Sequence, residues 1–246
     1  MKAASRWLER FGLWLGVLIL LAGGLPLRAP VARAAANRVA YVYGSNATLR
    51  NQFVGMLNGK GLQVDAYQET DPSLTAALLA SVDAIVIADD AAAAGALDSN
   101  AFAAIQGSGK PVVAVGLGGA LFFNQAGLSG VTSGGLNTAQ TNAYIHAVDP
   151  LAPVWSAPDV IPIPDQNKAL YLSAVGAYAY QAINTVPFVT RIGRLPGTPN
   201  LYSLISQFQN SRCYTYFGYR EVPALQAAIP VIDREIAGTA RPALGP

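Results

Sequence analysis

The sequence predicts an α/β protein: a doubly wound, mainly parallel sheet that closes with a C-terminal hairpin and helix. Three observations carry this. Apolar runs of strand length alternate with segments of helical periodicity between residues 38 and 115. Two of those runs, residues 84–88 (AIVIA) and 111–115 (PVVAV), are apolar throughout, as strands covered on both faces are. The connections between runs are long enough for helices, which implies right-handed crossovers and parallel pairing.

Taken in order, residues 38–43 (RVAYVY) are β-branched and aromatic and stop at Gly44. Residues 47–60 place Leu49, Phe53, Val54 and Leu57 at helical spacing, behind Ser45 or Asn46 as N-cap. A second strand covers residues 62–67, and a short helix over 72–79 follows Asp71. The Ala-rich stretch 91–96 reads as a tightly packing helix. Asp98 caps a further helix through Ile105, which Gly107 and Gly109 end. Beyond the 111–115 strand the chain is looser. Residues 127–141, rich in Gly, Ser, Thr and Asn, read as a long loop, and the prolines within 150–164 keep that stretch extended or turn-rich. Residues 201–208 and 213–217 flank Gln209-Asn210-Ser211-Arg212 as a hairpin, and an amphipathic helix over 222–236 follows. With no repeat and no low-complexity linker, residues 37–246 read as one domain.

Residues 1–36 read as a secretory leader. Lys2, Arg6 and Arg10 precede an apolar run over 11–25, Pro26 and Arg28 break it, and small residues at 32–34 or 34–36 suit a signal peptidase. The run is short of the ~20 apolar residues of a spanning helix. An uncleaved anchor is the alternative, and membrane contact comes only through it; in both cases the domain is extracytoplasmic. No Cys follows the run, so lipid attachment there is excluded. Cleavage after Ala36 removes five of the 16 basic and one of the 14 acidic residues, leaving 11 and 13 and a net charge of −2. No basic block remains, which excludes the electrostatic footprint of a nucleic-acid binder. The single Cys, Cys213, forms no intramolecular disulfide. One Cys and one His fall short of a Cys/His zinc site.

Residues 111–123 read PVVAVGLGGALFF. This resembles the nucleophile elbow of the class I glutamine amidotransferase-like superfamily: a buried strand, then Gly-x-Cys-x-Gly, then a helix. Ala114 takes the place of the first Gly, Gly116 that of the Cys and Gly118 that of the second Gly, with Val115 and Leu117 between them. Gly119 and Ala120 stand where amidotransferases often carry His and Gln. Residues 145–153 (IHAVDPLAP) are similar to a segment of the trehalose-utilisation type of amidotransferase-like protein. The hairpin ending Gly218-Tyr219-Arg220 resembles the strand that brings in the catalytic His of active relatives. The resemblance implies a flavodoxin-like fold and a member lacking the nucleophile Cys. Amide hydrolysis by that route needs a thiolate and a proton-transferring His. Gly116 has no side chain, and residues 218–220 contain no His.

What the elbow keeps is backbone. A turn through Gly116, Leu117, Gly118 and Gly119 can present N–H groups at a helix N-terminus to an anion or a carbonyl oxygen. Alternatively, these glycines only permit a tight turn and close packing. With no nucleophile to hold out, elbow strain is expected to relax, and Gly116→Leu to obstruct a ligand more than it lowers the Tm.

Other candidates join this edge. Asp89 and Asp90 follow the 84–88 strand at the C-terminal edge, where open α/β sheets place ligands, and suit a metal or a sugar hydroxyl, or simply cap the next turn. Gly44-Ser45-Asn46-Ala47-Thr48 is similar to the phosphate loop of flavodoxins but lacks its internal Gly, and no cofactor is assigned. His146, beside Asp149, is either a base or an ordinary packed residue. Arg220 can orient an anion or pair with Glu221. The expected function is that of an exported, non-catalytic module. It binds a small molecule, or an envelope or extracellular protein, through Gly44, Ser45, Asp89, Asp90, Gly116, Leu117, Gly118, Gly119, His146 and Arg220. The alternatives are a secreted hydrolase using Asp89, Asp90 or His146, and a purely structural surface domain.

Overall fold

The computed structural model describes residues 38–132, 143–151, 155, 167–171, 179–181, 188–194, 197 and 200–218. The chain separates into Met1–Ala34 and Ala35–Pro246, and every described residue belongs to the second. The leader, Arg220, residues 222–236 and most of 150–164 lie outside the described residues.

Four strands and four helices alternate as expected through the first half. They are β1 (Arg38–Tyr43), α1 (Ala47–Gly59), β2 (Gln63–Gln68), α2 (Ala76–Leu79), β3 (Ala84–Ile87), α3 (Ser99–Ser108), β4 (Val112–Val115) and α4 (Gly116–Gln125). Asn46 is the N-cap of α1, its side chain accepting from the N–H of Leu49, and Asp98 caps α3 through the N–H groups of Asn100 and Ala101. Gly109 ends α3 in the left-handed conformation, φ 67°.

Two stretches differ from the expectation. The helix expected over 72–79 begins only at Ala76. Residues 71–74 turn instead, because the Asp71 carboxylate accepts from the N–H of Ser73 and its carbonyl from that of Leu74. Residues 91–96 are a turn rather than a helix. Ala92 and Gly95 adopt φ of 61° and 96°, and Glu69 at the end of β2 accepts from the N–H groups of Ala92 (3.0 Å) and Asp98 (3.3 Å). Side-chain acceptors there take the place of an i→i−4 ladder.

Among the described residues seven further strands follow: β5 (Val131–Thr132), β6 (Ala143–Ala147), β7 (Asn167–Tyr171), β8 (Ala179–Gln181), β9 (Val189–Arg194), β10 (Leu201–Gln209) and β11 (Arg212–Phe217). The main path of the sheet runs β2-β1-β3-β4-β11-β10-β9-β6-β7, with β8 on β10 and β5 on β8. Pairing is parallel from β2 to β11 and antiparallel beyond. The parallel half is the doubly wound core; the antiparallel half is larger than the single hairpin expected. That hairpin, β10–β11, turns through Asn210 and Ser211, both left-handed (φ 52° and 59°), as a two-residue turn matched to strand twist requires. The stretch 127–141, expected as loop, contains β5.

The core lies on both faces of the parallel strands. One face packs Val39, Tyr41, Val86, Val113 and Val115 against Phe53 and Leu57 of α1, with the Tyr41 and Phe53 rings 5.5 Å apart. The other packs Ala40, Val42, Ile85, Ile87, Val112 and Ala114 against α2, α3 and α4 through Leu79, Ile105, Phe122 and Phe123. Burying a side chain such as Phe53 contributes about 2–3 kcal/mol. Double-sided burial explains why β3 and β4 are apolar at every position, and it pins the C-terminal ends of β1, β3 and β4 side by side.

Candidate functional site

The parallel register sets the site. Ile87 pairs with Ala114, so continuing two residues up each strand brings Asp89 beside Gly116. Strand β4 passes into α4 without a loop. Val115 is extended (φ −112°, ψ 139°) and is the N-cap, yet it makes no side-chain capping bond, and Gly116 follows at φ +56°. The turn is the sharp strand-to-helix reversal of an elbow, and its conformation is one that L side chains rarely adopt. The expected relaxation at Gly116 has not occurred.

Asp89, 6% exposed, serves as the missing cap. Its Oδ1 accepts from the N–H of Leu117 (2.8 Å), and its backbone carbonyl accepts from the N–H of Gly118 (2.9 Å). These two N–H groups, expected to stand uncovered, are therefore taken from within the chain, and the helix dipole favours the carboxylate that takes them. A Cβ built on Gly116 would overlap Asp89 Oδ1 outright and lie 2.7 Å from its Cγ. The space into which an elbow nucleophile projects is filled by Asp89. The expectation for Gly116→Leu is thereby reversed, since any side chain at 116 acts first on the fold.

Asp90 does for the first strand what Asp89 does for the fourth. Its Oδ1 and Oδ2 accept from the N–H groups of Gly44 (3.1 Å) and Asn46 (2.7 Å), clamping the β1–α1 turn. A Cβ on Gly44 would overlap the Asp90 carbonyl oxygen. Gly118 and Gly119 are packing glycines. Added methyls would overlap the Ala88 carbonyl and lie 2.5 Å from the Ala114 carbonyl carbon, respectively. Gly44, Ser45, Asp89, Asp90, Gly116, Leu117, Gly118 and Gly119 thus meet at one edge, where Ser45 and Asn46 are exposed. Two residues of this edge were not anticipated. Glu69 ties β2 to the 91–98 turn, and Arg50 donates to the Tyr43 hydroxyl (2.7 Å) while its guanidinium lies over the Tyr43 ring. Their spacing in sequence carries no signal, because only the tertiary fold brings them together.

The fold matches solved structures over most of its length. A protein from Thermoplasma acidophilum, described as part of a GMP synthase, aligns with a TM-score of 0.55 at 12% identity, over 84% of this chain and 95% of its own. The chain has the class I glutamine amidotransferase-like fold. PurLQS from Thermotoga maritima aligns at 0.53 and 10% identity, over 82% of this chain and 98% of that one. A glutamine amidotransferase from the same organism aligns at 0.51 and 10% identity, over 85% and 100%. No protein-family model and no curated protein matches the chain.

Within this amidotransferase-like fold the remaining candidates lie apart. Strands β11, β10 and β9 stand between β4 and the strand of His146, β6. At about 4.8 Å per strand, His146 is on the order of 19 Å from the elbow along the sheet. Cys213 is the second residue of the same strand whose far end, Phe217, pairs with Val115 beside the elbow. At about 3.3 Å per residue the thiol lies roughly 13 Å away along β11, buried, 3.0 Å from the Ser206 hydroxyl. The chain leaves β11 at Gly218, whose N–H donates to the Ser203 carbonyl (2.6 Å). Among the described residues no group of three or more His, Cys, Asp or Glu is placed to hold a metal ion. No described helix is long and apolar enough to cross a membrane.

Proposed function

We propose that this chain is an exported, non-catalytic module of the amidotransferase-like fold, which binds a small molecule or an envelope or extracellular protein across the C-terminal edge of its sheet. One observation carries the non-catalytic part: at the elbow, the place of a nucleophile is held by Gly116 at φ +56° with the Asp89 carboxylate filling the space in front of it. A thiolate attack requires a sulfur at that point and an imidazole within hydrogen-bond reach. The chain's one Cys and one His are each placed elsewhere in the sheet. Internal acceptors also occupy the N–H groups of Leu117 and Gly118, so the groups left to a ligand are at the exposed lip: Ser45, Asn46 and the half-buried Asp90. Export rests on the leader pattern of residues 1–36.

The test has two arms. Purified protein incubated with glutamine should release no ammonia above the blank. A thermal-shift screen of sugars, amino acids and polyols should yield a ligand whose effect Ser45→Tyr abolishes. Glutamine turnover that a thiol reagent stops would refute the non-catalytic reading. A ligand indifferent to Ser45→Tyr would remove the binding edge.

A further inference from the structure

Opposite the elbow, at the N-terminal edge of the parallel strands, Arg212 opens β11 with 5% of its surface exposed. Its Nη1 reaches the Gln106 carbonyl in the last turn of α3 at 3.4 Å, and its guanidinium lies 4.9 Å from the Tyr214 ring centroid. Tyr214 in turn donates to Gln106 Oε1 (3.2 Å). These contacts leave most of the guanidinium unserved: Nε and Nη2 are buried with no hydrogen-bond partner. Guanidinium carries five N–H donors and stays charged in a protein, so neutralisation does not relieve the deficit. Buried polar groups without partners are rare in native proteins, and an unseen ion or water is a standard reason for one.

A second observation concerns charge. Tyr214 pairs with Val112, so continuing the register two residues back sets Lys110 beside Arg212. Lys110, half-buried, makes no ion pair among the described residues, where the one salt bridge joins Arg38 and Asp65. The acid that the register puts on the other side of Lys110 is Asp83, and its carboxylate already accepts from the N–H of Arg38 (3.1 Å). Arg212 and Lys110 are thus neighbouring cations in the register of this edge, and an anion between them would take charge-assisted hydrogen bonds from both. Burial pushes the Arg212 guanidinium pKa below its usual range, as it does for any cation taken out of water.

We infer that Arg212 and Lys110 form a binding site for a small oxyanion, phosphate or carboxylate, at the edge of the sheet opposite the elbow. The planar fork of Arg212 offers Nε and Nη2 on one side, the pair of donors that grips two oxygens of one anion. The exposed turn residues Asn210 and Ser211 directly precede Arg212 and the exposed Gly109 directly precedes Lys110, so both cations adjoin solvent-exposed chain at this edge.

The experiment is thermal unfolding of the full chain in phosphate, sulfate, acetate and citrate, each matched to chloride at equal ionic strength. Phosphate or a carboxylate should raise Tm beyond chloride, by about 4 °C at ten times its Kd for a domain of this size and further with the logarithm of its concentration. The two arms separate phosphate from carboxylate as the preferred form. Arg212→Gln should abolish the rise and Lys110→Gln should weaken it at least threefold in apparent Kd. Arg212→Lys, which keeps the charge without the fork, should lose most of the affinity. Should Arg212→Gln not fold, Lys110→Gln and isothermal titration of the native chain with phosphate decide alone. No rise in Tm beyond chloride and no saturable heat in the titration, or an unchanged response in Lys110→Gln, overturns the site.

Discussion

The substitution Gly116→Ala adds one methyl and puts the elbow to a quantitative test. Two costs are legible in the geometry. A non-glycine residue at φ +56° is strained by about 1 kcal/mol. The new Cβ also overlaps Asp89 Oδ1, so the carboxylate has to leave and the N–H of Leu117 loses a charge-assisted bond of 2.8 Å, a loss of about 2–3 kcal/mol. Together the change should destabilise the domain by about 3–4 kcal/mol and lower Tm by about 10 °C. A double-mutant cycle isolates the second cost. In an Asp89→Gly background the three atoms nearest the new methyl are gone, and Gly116→Ala should cost only the backbone term of about 1 kcal/mol. The assay is urea unfolding of all four proteins, read as midpoints at constant m. A coupling energy near zero, with Gly116→Ala equally costly in both backgrounds, would refute the claim that Asp89 occupies the nucleophile's space.

Other outcomes follow from the same geometry. Asp90→Ala strips the N–H groups of Gly44 and Asn46 of their acceptor and should cost about 1–2 kcal/mol in urea unfolding, water at this half-buried site making good the rest. Gly55, in the middle of α1 with open space around it, should accept Ala with a gain of about 0.5–1 kcal/mol. Gly118→Ala meets the Ala88 carbonyl and should fail to give soluble, folded protein by circular dichroism. Alkylating reagents should label native Cys213 slowly and leave ligand binding unchanged, since the thiol is buried far from the edge. N-terminal sequencing of protein recovered from its host should begin at or near Ala35 or Asn37, and a start at Met1 or Lys2 would mark an uncleaved anchor.

The half of the fold legible in the sequence is the half whose strands are buried on both faces. AIVIA and VVAV leave little alternative to a central parallel strand, and Asp98 and Gly109 punctuate α3 with side-chain and backbone chemistry that local sequence encodes. The antiparallel half was less legible. Strand β9 (VTRIGR) exposes Thr190 and half-buries its arginines, and its partners β10 and β6 are set by long-range register rather than by any local pattern. The site divides in the same way. Gly116 stands out because a Gly-rich turn after a buried strand is a local signal. The destination of Asp89 is tertiary: an acid after a strand caps something, and only the pairing of Ile87 with Ala114 decides that it caps α4.

That pairing explains why a strained turn persists without a nucleophile. Val115 is fully extended and α4 begins at the next residue, so one residue must absorb the whole reversal, and glycine does so at least cost. The same abrupt start leaves the first turn of α4 without a cap from its own N-cap residue, and the neighbouring strand supplies one in Asp89. Glycine at 116 and the carboxylate at 89 therefore depend on each other: the absent Cβ makes room for the carboxylate, and the carboxylate satisfies the N–H group that the sharp turn leaves bare. An elbow with a thiol at 116 would consequently need two changes in this chain. Gly116→Cys alone sets its Cβ against Asp89 and should be destabilised at least as much as Gly116→Ala, with no glutamine turnover. Adding Asp89→Gly clears the space but leaves α4 uncapped, so the double variant should be about as destabilised as Gly116→Cys alone rather than the sum of the two single changes. If Gly116→Cys alone is as stable as the native chain, Asp89 is not the obstacle, and the elbow is open to a nucleophile after all.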